Sequence, residues 1–391
     1  MNGGPRSYLD HNATSPLRPE VAEAMARAQE LPGNASSVHA EGRAARAAVE
    51  RAREEVAALV GARAQDVIFT SGGTEAANTV LSPTTRRLDG PDCVALLAGA
   101  TEHACVLDGH RFPPEAVARI PVDRDGIVDL GWLEERLARL GGPALVSIQA
   151  ANNETGVIQP VAEAAALVHA RGGLLHSDAV QAAGKIPLSL KDLGADVITL
   201  SAHKLGGPKG VGAIVLASGE IEIGDRLIRG GGQERGYRAG TENVAGIVGF
   251  GAATAAWTTE GRRAVPTEGR RLLRDDAEAR LRQVAPDVVV FGSGVERLPN
   301  TLAFAIPGMR AETALILFDL EGVAVSSGSA CSSGKVKRSH VLEAMGVEPA
   351  LAAGAIRVSF GWNSTQSDVN RFIAACERLV ATLYSRRATA A

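Results

Sequence analysis

Six short apolar runs recur through the first part of the chain: Val67–Thr70, Val94–Leu97, Leu145–Ile148, Leu174–His176, Val197–Leu200 and Ala213–Leu216. Most are bounded by Gly, Pro or Asn, and most intervals are long enough to hold a crossover helix. A strand that is apolar throughout has no polar face to offer water and needs cover on both sides. The pattern therefore predicts an α/β layer structure around a mainly parallel sheet. In such sheets ligands bind beyond the carboxyl ends of the strands. Arg18–Glu30 and Gly42–Val60 read as amphipathic helices. The charge-free stretch Asn243–Thr259, too rich in Gly, Ala and Thr for a bilayer span, reads as a buried helix.

The composition shifts near Glu260, where Gly261–Arg282 becomes dense in Arg, Glu and Asp and reads as one long solvated helix. Shorter strand candidates follow at Val288–Phe291, Thr301–Ile306, Val323–Ser326 and Ile356–Phe360, with a closing helix over Gln366–Tyr384. This predicts a second, smaller α+β domain, and 391 residues suffice for both.

With 41 Lys and Arg against 44 Asp and Glu and only 4% aromatic residues, the chain has neither the cationic surplus nor the stacking rings of a nucleic-acid binder. Met1–Leu17 lacks the apolar core of an export signal, so the expected location is cytoplasmic, with no membrane partner. Cys93, Cys105, Cys331 and Cys376 form no C-x-x-C pair, which argues against structural zinc and for free thiols.

Several strands deliver polar residues at their carboxyl ends. Val197–Leu200 leads into Ser201-Ala-His203-Lys204 and then glycines, a setting for a partly desolvated Schiff-base lysine or for a surface lysine in a Gly/Pro loop. Asp178 lies about one strand-helix-strand unit earlier. Its carboxylate could hold a pyridinium nitrogen protonated or simply cap a helix. After Val67–Thr70, the glycine turn opening a helix at Gly73 and Thr74 offers unpaired N–H groups to a phosphate. It matches neither the Walker A spacing nor G-x-G-x-x-G, and a plain turn capped by Thr74 is the alternative. His103 in Thr101-Glu-His103 and the pair Asn152-Asn153 also sit after strands, although a lone His and an Asn-Asn turn are often structural. In Ile356-Arg-Val-Ser-Phe360 the alternation turns Arg357 away from the apolar side, toward a carboxylate clamp or an interdomain ion pair. Cys331 stands in Ser326-Ser-Gly-Ser-Ala-Cys-Ser-Ser-Gly334 with Lys335, Lys337 and Arg338 close behind, an electropositive setting that favours the thiolate. Cys376, flanked by Phe372-Ile-Ala-Ala and Glu-Arg-Leu379, reads as helix core.

Taken as an ordered set, these motifs resemble the pyridoxal-phosphate-dependent cysteine desulfurases of the NifS/IscS type, in the class V aminotransferase branch of fold type I. The likeness spans nearly the whole chain. It includes Tyr8-Leu-Asp-His-Asn-Ala-Thr14, Gly33-Asn-Ala-Ser-Ser-Val-His39, Gly72-Gly-Thr-Glu75, Asn152-Asn-Glu-Thr-Gly-Val-Ile-Gln-Pro160 and Asp178-Ala-Val-Gln181. It continues through Ser201-Ala-His-Lys204, Gly230-Gly-Gly-Gln-Glu-Arg-Gly-Tyr-Arg-Ala-Gly-Thr-Glu-Asn243 and Ser326-Ser-Gly-Ser-Ala-Cys331.

The resemblance implies an α/β fold with a large domain over 15–257, built on a mainly parallel seven-stranded sheet. A small domain over 1–14 and 258–391 would carry the cysteine loop at about 326–338. It implies that Lys204 forms the Schiff base with pyridoxal 5'-phosphate, Asp178 pairs with the pyridine nitrogen and Gln181 bonds the ring hydroxyl oxygen. His103 would stack on the ring and move protons, and Asn153 would assist on the ring side. Gly73, Thr74, Ser201 and His203 would hold the phosphate, with Thr241 reaching that of the partner in a homodimer. Asn34, Asn153 and Arg357 match substrate-binding positions, and Cys331 matches the cysteine that takes sulfur from L-cysteine, leaving alanine, for an acceptor such as an iron–sulfur scaffold.

Ser177 stands where the family often has an apolar residue, and Ala239 replaces a Ser. Gly334-Lys-Val-Lys-Arg-Ser-His340 replaces a Leu-Glu-Pro type segment, so an acidic acceptor surface is expected. The rival readings are a selenocysteine lyase, another aminotransferase-type enzyme, or a non-catalytic sulfur carrier or scaffold.

Overall fold

The computed structural model describes residues 6–261, 265–327 and 338–390. From edge to edge, its seven-stranded sheet runs Val67–Thr70, Gly212–Leu216, Val197–Ser201, Leu174–Asp178, Ala144–Ser147, Ala95–Gly99 and Val117–Ile120. Only Gly212–Leu216 is antiparallel to its neighbours. The six apolar runs all became strands of this sheet, as expected for segments buried on both faces. Val117–Ile120 carries no such signal, because it is a half-exposed edge strand interrupted by Arg119.

Helices Pro19–Gln29, Ala40–Val60 and Val244–Gly261 form one covering layer, the third packing on the other two. Ala45, Ala48, Val49, Ala52, Val56 and Val60 recur at helical spacing and are buried. The Gly and Ala richness has a steric purpose here: a Cβ added at Gly251 would fall 2.6 Å from the Cα of Ala52. Most of the solvated stretch lies in the helix Val265–Val284.

A second core lies around a four-stranded antiparallel sheet ordered Val289–Val290, Thr301–Ala305, Ile356–Ser359 and Ser326–Ser327. Ile356, Val358, Phe360 and Cys376 are buried in that core. The N-terminal strand Ser7–Tyr8 joins this half of the molecule, pairing in parallel with Val323–Ala324, and Leu9 is buried with it. The chain then passes through Asp10–Thr14 toward the carboxyl edge of the large sheet, where Lys204 and Gln181 bond to it. Among the described residues no helix is long and apolar enough to cross a membrane.

Candidate active site

The order of strands in the large sheet dictates where a crevice must open. After Ala95–Gly99 the chain moves outward to Val117–Ile120 and then returns to the other side through Ala144–Ser147, so the loops following those strands diverge. A cavity of about 560 Å³ lies at that carboxyl edge. Gly73, Thr74, His103, Asn153, Asp178, Gln181, Ser201, His203, Lys204 and Arg357, all anticipated from sequence, line it together with Asp10, Asn12, Cys105, Gln149 and Ser326–Ser327.

Each chemical group is set by local structure. Lys204 follows the Val197–Ser201 strand in a short turn, and its Nζ donates to the main-chain oxygens of Asn12 at 2.6 Å and Ala13 at 2.8 Å. Burial, with Arg357 adding to it, lowers the amine from 10.5 to about 8, so about a tenth of it is neutral at pH 7, against well under a thousandth for an ordinary lysine. Asp178 ends its strand with Oδ1 accepting from Val180 N at 2.9 Å, while burial pushes its carboxyl up. His103 caps a short helix, its Nδ1 accepting from Cys105 N, and loss of hydration lowers its imidazole. His203 is lowered to about 4 by burial and then by Lys204, and its Nδ1 lies 3.1 Å from Thr14 Oγ1. Helix Gly73–Val80 starts without a side-chain cap, leaving first-turn N–H groups at the cavity.

Arg357 reaches the cavity from the small sheet. Its Nη1 donates to Asn153 O at 3.0 Å and its Nη2 to Asp10 Oδ1 at 2.8 Å, while its buried Nε has no partner among the described residues. Ser177 turns inward, its hydroxyl donating to Ile148 O at 2.7 Å, which accommodates a polar residue in the sheet.

Not every anticipated residue meets this cavity. Asn34 is exposed and folds back on its own turn, accepting from Ser36 N at 2.8 Å; Thr241 is exposed as well, and neither lines the cavity of its own chain. Cys331, Lys335 and Lys337 lie outside the described residues, beyond the wall residues Ser326–Ser327. On the far side of that segment Ser339 donates to the buried Glu154 at 2.6 Å, and His340 Nε2 donates to Glu102 O at 2.8 Å. Asp10, Asn12, Cys105 and Gln149 received no role from sequence. Asp10 and Asn12 stand inside the quoted Tyr8–Thr14 motif, the one signal that pointed to them.

A desolvated amine, a buried carboxyl, an imidazole, an uncapped helix start and a guanidinium in one cavity suit chemistry on an anionic, carbonyl-bearing group and a carboxylate substrate. The family model described as Aminotransferase class-V matches residues 7–372. The chain is 41% identical over 382 residues to a cysteine desulfurase IscS of Dictyoglomus turgidum, covering 96% of this chain and 95% of that one. Among solved structures it is similar to a NifS-like protein from Rickettsia africae, with a TM-score of 0.86 and 37% identity over 95% of this chain and 99% of that one. It is also similar to SspA in complex with cysteine, with a TM-score of 0.73 and 25% identity over 92% and 100%.

Proposed function

The chain belongs to the class-V aminotransferase family and is a cysteine desulfurase, and from that premise we propose how its own residues divide the work. The family depends on pyridoxal phosphate, and the donor set of the cavity fits that group. The uncapped start of Gly73–Val80, with Thr74, Ser201 and His203 alongside, suits the phosphate. Asp178, with one oxygen held by Val180 N, suits a protonated ring nitrogen, and Gln181 suits the ring hydroxyl. Lys204 supplies the amine that ties the coenzyme down. When bound, the coenzyme supplies a ring that withdraws electrons from the substrate Cα.

Arg357 and Asn153 bind the carboxylate of L-cysteine from the other side of the cavity, with Asn34 as a further candidate. The neutral Lys204 amine takes the Cα proton, and His103 exchanges protons at the substrate. The Cys331 thiolate attacks the substrate sulfur. An S–S bond forms on the enzyme, the C–S bond breaks with its electron pair going to carbon, and protonation there completes alanine. The basic residues behind Cys331 favour an acidic acceptor, such as an iron–sulfur scaffold, in a cytoplasmic setting. Thr241, exposed on its own chain, serves the phosphate of a partner in a homodimer, with large and small domains dividing near residues 14 and 257.

The observation that carries this reading is the meeting of Lys204, Asp178, His103 and Arg357 in one cavity whose wall includes Ser326–Ser327, where the segment bearing Cys331 begins. The test is purified enzyme with L-cysteine and a thiol reductant, measuring sulfide and alanine. Equal amounts are expected, with both lost in Cys331→Ala although the coenzyme stays bound. Full activity in Cys331→Ala would leave an enzyme of the aminotransferase type without a thiol relay.

A further inference from the structure

Lys185 is buried, and no step above uses it. It lies four residues beyond Gln181 in a run of turns, and among the described residues no carboxylate pairs with it. Its Nζ donates instead to Asn12 Oδ1 at 2.7 Å and to Gln181 Oε1. At the other end of the same amide, Gln181 Nε2 donates to the main-chain oxygen of Asn12 at 3.0 Å.

The two contacts together remove an ambiguity that a glutamine ordinarily has. A carboxamide can turn over, exchanging its oxygen and nitrogen at little steric cost. Here one end faces an amine, which has N–H groups to donate, and the other faces a carbonyl oxygen, which only accepts. Turning the amide over would set N–H against N–H and O against O. Gln181 is therefore held with its NH2 group beside Asn12 O and its carbonyl away from the cavity's acceptor position. Of its two N–H bonds one goes to Asn12 O, and the other is left for the cavity that Gln181 lines.

Asn12 is fixed just as tightly. Its Oδ1 accepts from Asn300 Nδ2 at 3.1 Å as well as from Lys185, and its Nδ2 donates to Thr301 Oγ1 at 2.9 Å and to Asn153 O at 3.1 Å. Its main-chain oxygen is shared by Gln181 and Lys204.

We propose that Lys185 is a positioning residue that commits Gln181 to act as a hydrogen-bond donor toward the ring oxygen of the coenzyme. This rests on the reading of Gln181 given above and adds what makes that residue a donor. Both oxygens that the Lys185 amine meets, Asn12 Oδ1 and Gln181 Oε1, can only accept, so its N–H groups serve the two of them together.

The test is a double-mutant cycle read by equilibrium titration of the apoprotein with pyridoxal phosphate, with thermal unfolding of each apoprotein as the folding control. Lys185→Met is expected to weaken coenzyme binding about tenfold, the loss of one well-made hydrogen bond. In the Gln181→Leu background the same change is expected to cost less than about twofold, since no amide remains to be oriented. An equal loss in both backgrounds, or none in either, overturns the proposal and leaves Lys185 a packing residue. Should Gln181→Leu alone leave affinity unchanged, the reading of Gln181 itself fails, which is a distinct outcome. If Lys185→Met does not fold, Lys185→Gln takes its place in the same cycle: its amide can donate or accept and no longer commits Gln181, so weaker binding is expected in the parent but not in the Gln181→Leu background, and equal effects in both overturn the proposal.

Discussion

Arg357 and Asp10 are joined across the wall of the cavity, Nη2 to Oδ1 at 2.8 Å, by residues that start 347 positions apart in the chain. The guanidinium is thereby held rigid at a buried site, with Nη1 on Asn153 O. A planar fork held this way can offer paired donors to a carboxylate, which a lysine ammonium cannot. Arg357→Lys is expected to raise KM for L-cysteine about tenfold or more while kcat changes by less than about fivefold. Steady-state kinetics decide it; an unchanged KM would remove Arg357 from substrate binding.

Lys204 predicts a pH dependence of known sign. Its folded value is about 8, against 10.5 for the ordinary amine, so folding disfavours the cation. The associated stabilisation is complete above 10.5 and is lost as the pH falls through about 8. Relative to Lys204→Met, the apoprotein should lose about 3 kcal/mol of unfolding free energy over that window. The rate of coenzyme capture should rise with the neutral amine and level off above pH 8. A capture rate that is flat from pH 6 to 9 would contradict the assignment.

Glu154 predicts the opposite trend. Burial raises its carboxyl from 4.5 to about 7, offset in part by the Ser339 hydroxyl and by Arg357. A raised acid stabilises the fold fully below 4.5 and loses that contribution as the pH rises through about 7. Glu154→Gln keeps an acceptor for Ser339 and removes the titration. Its stability relative to the parent should therefore improve by about 3 kcal/mol between pH 4 and pH 8, measured by denaturant unfolding. Parallel curves would show that the carboxyl does not titrate in this range.

Ser339 also caps the helix that follows it, accepting from Leu342 N at 3.1 Å. Ser339→Ala should cost about 1–2 kcal/mol, and less in the Glu154→Gln background, where the lost partner is neutral. Strict additivity of the two changes would mean that the hydroxyl and the carboxyl are energetically independent.

Gly212 lies against the turn that opens the helix Gly73–Val80, proposed above to hold the coenzyme phosphate. A Cβ there would fall 2.5 Å from the carbonyl carbon of Gly72. Gly212→Ala must push the strand and the turn apart, with an expected cost of about 1–3 kcal/mol and weaker coenzyme binding. Unchanged melting temperature and affinity would show that the turn can move freely.

Much of this arrangement could be read from residue order. Val67–Thr70, Leu174–His176 and Val197–Leu200 announce themselves because a strand buried on both faces must be apolar along its length, and the polar residues that follow then share one edge. Lys204, Asp178 and His103 were legible for that reason. Val117–Ile120 was not, because an edge strand tolerates Arg119 and loses the pattern. Asp10, Asn12 and Lys185 were hidden for a different reason. Their importance comes from contacts with residues far away in sequence, such as Asn12 with Thr301 and Asn300, and no local periodicity records a long-range hydrogen bond.

The N-terminal strand has a consequence for biosynthesis. Ser7 and Tyr8 are made more than 300 residues before their partners Val323 and Ala324, and Asp10 likewise precedes Ser359, which bridges to it. The carbonyls of Asn12 and Ala13 that accept from Lys204 follow directly on this clasp in the chain. The catalytic chamber, whose lining includes Ser326, Ser327 and Arg357, therefore cannot be complete in a nascent chain that stops short of them.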